Sequence, residues 1–235
     1  MSEDKMTHEG AISLLDKLYD LAVDGKPPVF DSVETIANDY KDKYKDEYAI
    51  KAMIRNQVLK CTASGVATGF GGLITLPVTV AANVGSVLMI QMRMIACIAY
   101  MAGYDVRSDQ CRSLVYATLV GLKVTGLVKA GALKVGFSAA KAGIKKIPGR
   151  VLIAINKKVG FRFITKFGTK GTINLGKMIP FVGAVIGGGF DYVETKIVAN
   201  RAYKAFVEND FTYGEKIINE DEIIDLTDSD EDEQD

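Results

Sequence analysis

Residues 61–92 read CTASGVATGFGGLITLPVTVAANVGSVLMIQM, and no charged side chain occurs among these 32 positions. Lys60 and Arg93 close the run on its two sides. A membrane-spanning helix needs roughly 20 apolar residues, so length alone would permit insertion. Gly69, Gly71, Gly72 and Pro77 interrupt the run, and each costs an unbroken helix backbone entropy or a hydrogen bond. The pattern therefore predicts a helix to about Thr68, a glycine turn, and a second helix entered at Pro77. Proline suits a first helical turn because its missing N–H would have no partner there. This second helix should reach Ala102 and stop at Gly103. Such a hairpin, apolar on nearly all sides, fits either the buried centre of a helical domain or a reversible dip into a bilayer.

Working outward, the chain reads as helical throughout. Thr7 precedes HEGAISLLDKLYDLAVDG, in which Ile12, Leu15, Leu18, Tyr19 and Ala22 recur at helical spacing and Gly25 offers a stop. After the break at Lys26-Pro27-Pro28, Asp31 to Glu34 have capping-box spacing, with Asp31 as the predicted cap. Ile36, Tyr40, Tyr44 and Tyr48 follow every four residues and predict one helix face packed on the core. Ser108 is a good N-cap for DQCRSLVYATLVGLKV. Glycines then fall every five residues at 121, 126, 131 and 136 among lysines, so no apolar window long enough to span survives there. Beyond Pro148-Gly149, Val151, Leu152, Ile155, Val159, Phe163 and Phe167 share one arc of a basic, amphipathic helix. Lys157 and Lys158 lie outside that arc, Arg162 lies at its edge, and Lys166 intrudes. Residues 168–190 form a second glycine–proline hairpin candidate, tipped by Gly176 and Pro180. The last helix should bury Val193, Ile197, Ala202 and Phe206. No strand pattern emerges. The expected fold is a single all-α domain with residues 1–48 as N-terminal helices, a core over 49–211, and an acidic, disordered tail over 212–235.

Charge narrows the class of function. The 235-residue chain has 29 Lys+Arg and 29 Asp+Glu, but the charges are segregated. Between Gln110 and Phe190 there are 14 basic residues and no acid, whereas Glu220–Asp235 hold ten acids and no base. A basic block beside an acidic one points to an anionic partner or a screening tail. Nucleic acid fits less well, because the lysines alternate with Gly, Ala, Val and Phe and no recognised nucleic-acid motif occurs. Anionic lipid headgroups fit better, since each basic residue near such a surface contributes roughly 1 kcal/mol. Lys157, Lys158, Arg162, Lys166, Lys170 and Lys177 are the candidate lipid contacts. The three cysteines are widely spaced in apolar stretches and no apolar leader opens the chain. Free thiols in a reducing, cytoplasmic setting are therefore expected, with reversible peripheral membrane association.

Catalytic material is sparse. The single histidine, His8, removes most histidine-dependent catalysis and most zinc sites, so neither metal nor cofactor is expected. Gly171 to Met178 matches the glycine and lysine spacing of a phosphate loop, but Met178 stands where a hydroxyl must ligate magnesium. Asp105 and Asp191 are the weak candidates for acid–base chemistry. Asp191 follows one apolar run as Arg93 follows the other, and the pair reads first as a buried strut. In the acidic segment, Ile223, Ile224 and Leu226 followed by acids resemble a SUMO-interacting motif, which adds a strand to a partner's sheet edge.

The stretches GFGGLITLP, QMRMIACIAYMAGYD and KVGFRFITKFGTKGTINLGKMIPFVGAVIGGGFDYVETK resemble the EcsC-like protein family, in that order and over about Ala49 to Phe211. The family-motif positions are Gly69, Gly72, Pro77, Arg93, Tyr104, Asp105, Lys170, Gly171, Lys177, Pro180, Gly183 and Asp191. The resemblance implies little chemistry: hydrolase labels attached to some members have no obvious catalytic set behind them. The leading expectation is a non-catalytic protein that binds anionic membranes. The alternatives are a hydrolase using Asp105 or Asp191, and a scaffold recruited through the acidic segment.

Overall fold

The computed structural model describes residues 6–62, 82–124, 143–167 and 189–211. These form seven helices and no strand: α1 (His8–Asp24), α2 (Val33–Lys43), α3 (Asp46–Thr62), α4 (Ala82–Met101), α5 (Asp109–Val120), α6 (Gly149–Phe167) and α7 (Gly189–Phe206). The protein is all-α. Both glycine–proline turns lie outside the described residues, as does the acidic segment.

Local chemistry sets most helix ends. Thr7 accepts the Gly10 amide at 3.0 Å and starts α1, because a side-chain oxygen satisfies a first-turn N–H that has no carbonyl partner. Gly25 ends α1 at φ 72°, and a Cβ there would lie 2.6 Å from the Ser32 amide nitrogen. Only glycine fits such a left-handed, crowded position. Ser108 caps α5 as expected, and Gly103 takes φ 85° two residues after α4 ends.

The cap of α2 falls one residue later than expected. Ser32, rather than Asp31, accepts the Thr35 amide at 3.1 Å. Starting the helix at Val33 turns Val33 and Ala37 into the core, both fully buried. The tyrosine stripe is not one helix face either. Tyr44 adopts extended backbone at the end of α2 and Asp46 has φ 41° at the start of α3. Ile36 and Tyr40 pack against the core, while Tyr44 and Tyr48 are exposed. The rings of Tyr40, Tyr44 and Tyr48 instead stand side by side across the corner, with centroids 6.3 and 5.2 Å apart.

The core is organised around α4. Every residue from Leu88 to Ala99 is buried, because α1, α2, α3, α5 and α7 all pack on this helix. The N-terminal helices α1 and α2 therefore share one core with the rest. Within the charge-free run, Leu88 to Met92 are buried in the bundle, and among the described residues no helix is long and apolar enough to cross a membrane. In α7 the buried face is displaced from the expected one. Val193 and Ile197 are half-buried, whereas Thr195, Val198, Ala199, Ala202 and Phe206 are buried. This helix packs on α3, α4 and α5 at once, so its inward arc is wide and admits polar residues.

Candidate functional site

Two groups of side chains stand out: a polar seam inside the bundle and the outer face of α6. In the seam, Arg93 on α4 is buried, donates from Nη2 to Gln57 Oε1 at 3.3 Å, and lies over the Phe30 ring. Two residues earlier, Gln91 Nε2 donates to Thr195 Oγ1 at 3.1 Å. Lys166 at the end of α6 forms an ion pair with Glu194 of α7, both largely buried. Burial pushes the Lys166 ammonium below its usual range, and Glu194 opposes that shift. These contacts tie α3 to α4, α4 to α7, and α6 to α7. The last of them sets the C-terminal end of α6 beside the first turns of α7.

This arrangement withdraws Lys166 from the lysines expected at a surface: the intrusion into the apolar arc is satisfied by a buried carboxylate. Lys170 and Lys177, the hairpin-tip residues Gly69, Gly71, Gly72, Pro77, Gly176 and Pro180, and Ile223, Ile224 and Leu226 lie outside the described residues. So does the Asp191 side chain, which leaves the Arg93–Asp191 strut outside them too. Asp105 is exposed, and its Oδ1 accepts the Arg107 amide at 3.0 Å while its carbonyl accepts Ser108 Oγ. Those bonds shape the α4–α5 turn, beyond the end of the helix that carries Arg93. Among the described residues no cluster of three or more His, Cys, Asp or Glu could hold a metal ion.

A further polar group, which sequence reading missed, fastens α1 to α5. Tyr116 donates to Asp16 at 2.6 Å, and Arg112 pairs with Asp20 at 2.6 Å. Tyr19 donates to the Val106 carbonyl at 2.7 Å and meets Tyr116 edge-on at 5.6 Å. Beside them, burial pushes the Cys111 thiol up to about 12, so it stays protonated and inert.

The second group lies on α6. Its inner arc is as expected: Leu152, Ile155, Val159, Phe163 and Phe167 are buried and Val151 half-buried. His8 donates from Nε2 to the Lys157 carbonyl at 3.0 Å, and Gly160 permits this approach, since a Cβ there would lie 2.5 Å from that nitrogen. The outer arc is different. Ile153 and Phe161 are 70% and 69% exposed, the highest values among the large apolar side chains described. A helical turn of about 100° per residue places Lys157 and Arg150 between them and Lys158 just beyond. All three basic residues are exposed, and Arg162 is half-buried at the rim. Lys145 and Lys146, also exposed, precede the helix. The face thus offers two apolar side chains roughly 12 Å apart along the axis, ringed by cations and carrying no acid. The sequence signal was partial: Ile153, Phe161 and Ile164 are the bulky residues outside the buried arc, and Ile164 packs against the core while the other two are exposed.

These features make the described part of the chain an all-helical bundle with a buried polar seam and a basic outer helix that exposes two apolar side chains. The chain belongs to the EcsC protein family, whose model matches residues 43–207. No curated protein and no solved structure matches the chain. The family match contains the whole of α3 to α7 and leaves out α1, all of α2 but Lys43, and the acidic segment.

Proposed function

We propose that this protein is a non-catalytic, peripheral membrane protein that binds anionic lipid surfaces through the outer face of α6. The observation that carries the reading is the exposure of Ile153 and Phe161 among Arg150, Lys157 and Lys158. An amphipathic helix at an interface lowers apolar side chains to the headgroup–acyl boundary while its cations meet lipid phosphate. Each apolar side chain removed from water contributes about 1.5–3 kcal/mol at full burial, and each cation about 1 kcal/mol. The sum supports reversible association, in keeping with a cytoplasmic protein that is recruited and released. Reversible insertion by the segments around Gly69–Pro77 and Gly176–Pro180 would add to it.

Vesicle flotation of the full chain tests the reading. The protein should float with anionic vesicles at low salt, float less with neutral ones, and be released as ionic strength rises. Equal partition to both vesicle types, or to neither, would remove the claim.

A further inference from the structure

We infer that the acidic segment Glu220–Asp235 of the same chain docks on the outer face of α6 and competes there with anionic lipid. The competition rests on the membrane-surface reading above; the docking itself does not. Three observations carry it. The face is complementary in charge: Arg150, Lys157 and Lys158 are exposed, with Lys145 and Lys146 nearby, and no acid occurs from Gln110 to Phe190. The segment is the converse, with ten acids in sixteen residues and no base. The faces of α1 and α2 are less suited, because they present Asp16, Asp20, Asp24, Asp39 and Asp42, which would repel it.

The apolar parts also correspond. Ile223, Ile224 and Leu226 precede the run DSDEDE. In an extended chain Ile224 and Leu226 point to the same face roughly 7 Å apart, and Ile153 and Phe161 stand roughly 12 Å apart along α6. These two side chains can therefore lie against the patch between Ile153 and Phe161 while the flanking acids meet the lysines. Reach is sufficient. Phe211, the last described residue, is buried against Phe206, and twelve further residues extend up to roughly 40 Å. A domain of this length has a radius of gyration of roughly 17 Å. Tethering then acts as an effective concentration on the order of millimolar, so a contact with an intrinsic Kd of about 0.1 mM would lower apparent lipid affinity about tenfold.

The test has two arms, both on the full chain. In the first, zero-length carbodiimide crosslinking is performed on the monomer without vesicles. The expected products join Lys157 or Lys158 to carboxylates of residues 220–235, and they disappear at high salt. Crosslinks confined to other lysines, or formed only between chains, overturn the docking. In the second, anionic-vesicle affinity is compared between the unaltered chain and the variant D228N/D230N/E231Q/D232N/E233Q. The variant should bind about tenfold more tightly at low salt and equally at high salt; unchanged affinity overturns the competition. If neither chain binds vesicles but the crosslinks form, the docking stands and the membrane reading falls. If the unaltered chain binds vesicles and the crosslinks are missing, the reverse holds.

Discussion

Lys166 and Glu194 form an ion pair in the interior between α6 and α7, while Lys157 and Lys158, on the same α6, stand in solvent. One basic helix thus divides its charges between a structural contact and a free face, and the two sets respond oppositely to mutation. Removing one member of a buried pair strands the other charge. Glu194→Ala should lower unfolding free energy by about 3–5 kcal/mol, and K166M/E194L should recover most of it, because two apolar groups leave no charge stranded. Urea denaturation of the three proteins reads this directly. A Glu194→Ala variant as stable as the parent would show that the pair does not hold α6 to α7.

The outer face should behave in the other way. I153S/F161S removes two exposed apolar side chains, so stability should stay within about 0.5 kcal/mol of the parent. Anionic-vesicle affinity should fall at least about tenfold, given about 1.5–3 kcal/mol per fully buried apolar side chain. K157E/K158E should weaken binding most at low salt and flatten its salt dependence. Flotation across a salt series, with thermal melts as the folding control, separates the two effects.

Gly25 tests the turn between α1 and α2. Its φ of 72° and the 2.6 Å approach a Cβ would make to the Ser32 nitrogen involve backbone on both sides, which cannot rotate away. Gly25→Ala should destabilise by about 1–3 kcal/mol. An unchanged unfolding midpoint would mean the turn readily takes another shape.

Alkaline pH should unfold the protein through its buried weak acids. Burial raises Cys111 from its ordinary 9.0 to about 12 and Tyr104 from 10.0 to about 12, and it raises Tyr19 and Tyr116 further. These groups are neutral when protonated, so the unfolded chain releases their protons first. Their contribution is complete below pH 9 and is lost as pH rises from about 9 towards 12. Denaturation at stepped pH should show stability falling across that window. Cys97 and Cys111, both buried, should react with a thiol reagent at pH 8 only after denaturant is added.

The features legible in the residues alone were those decided within one or two turns of chain. Thr7, Gly25, Ser108 and Gly103 mark helix ends because a cap or a left-handed residue acts on amides a few positions away. The buried arc of α6 followed from its 3.6-residue period, and the family followed from ordered motifs spread over most of the chain. Which way a residue finally faces was another matter. Tyr44 left the predicted stripe because the chain turns there to set α3 against α4. Val193 and Ile197 yielded the inner position because α7 has three helical neighbours rather than one. Lys166 lies inside because Glu194, 28 positions later, meets it there, and Ile153 and Phe161 lie outside because α1 and α5 occupy the opposite side of α6. Sequence by itself determined the all-helical class, several helix ends and the segregation of charge, all products of local hydrogen bonding and composition. Only the tertiary structure decided which cations are free and which apolar side chains face water, because burial is set by neighbours that the chain brings from far away.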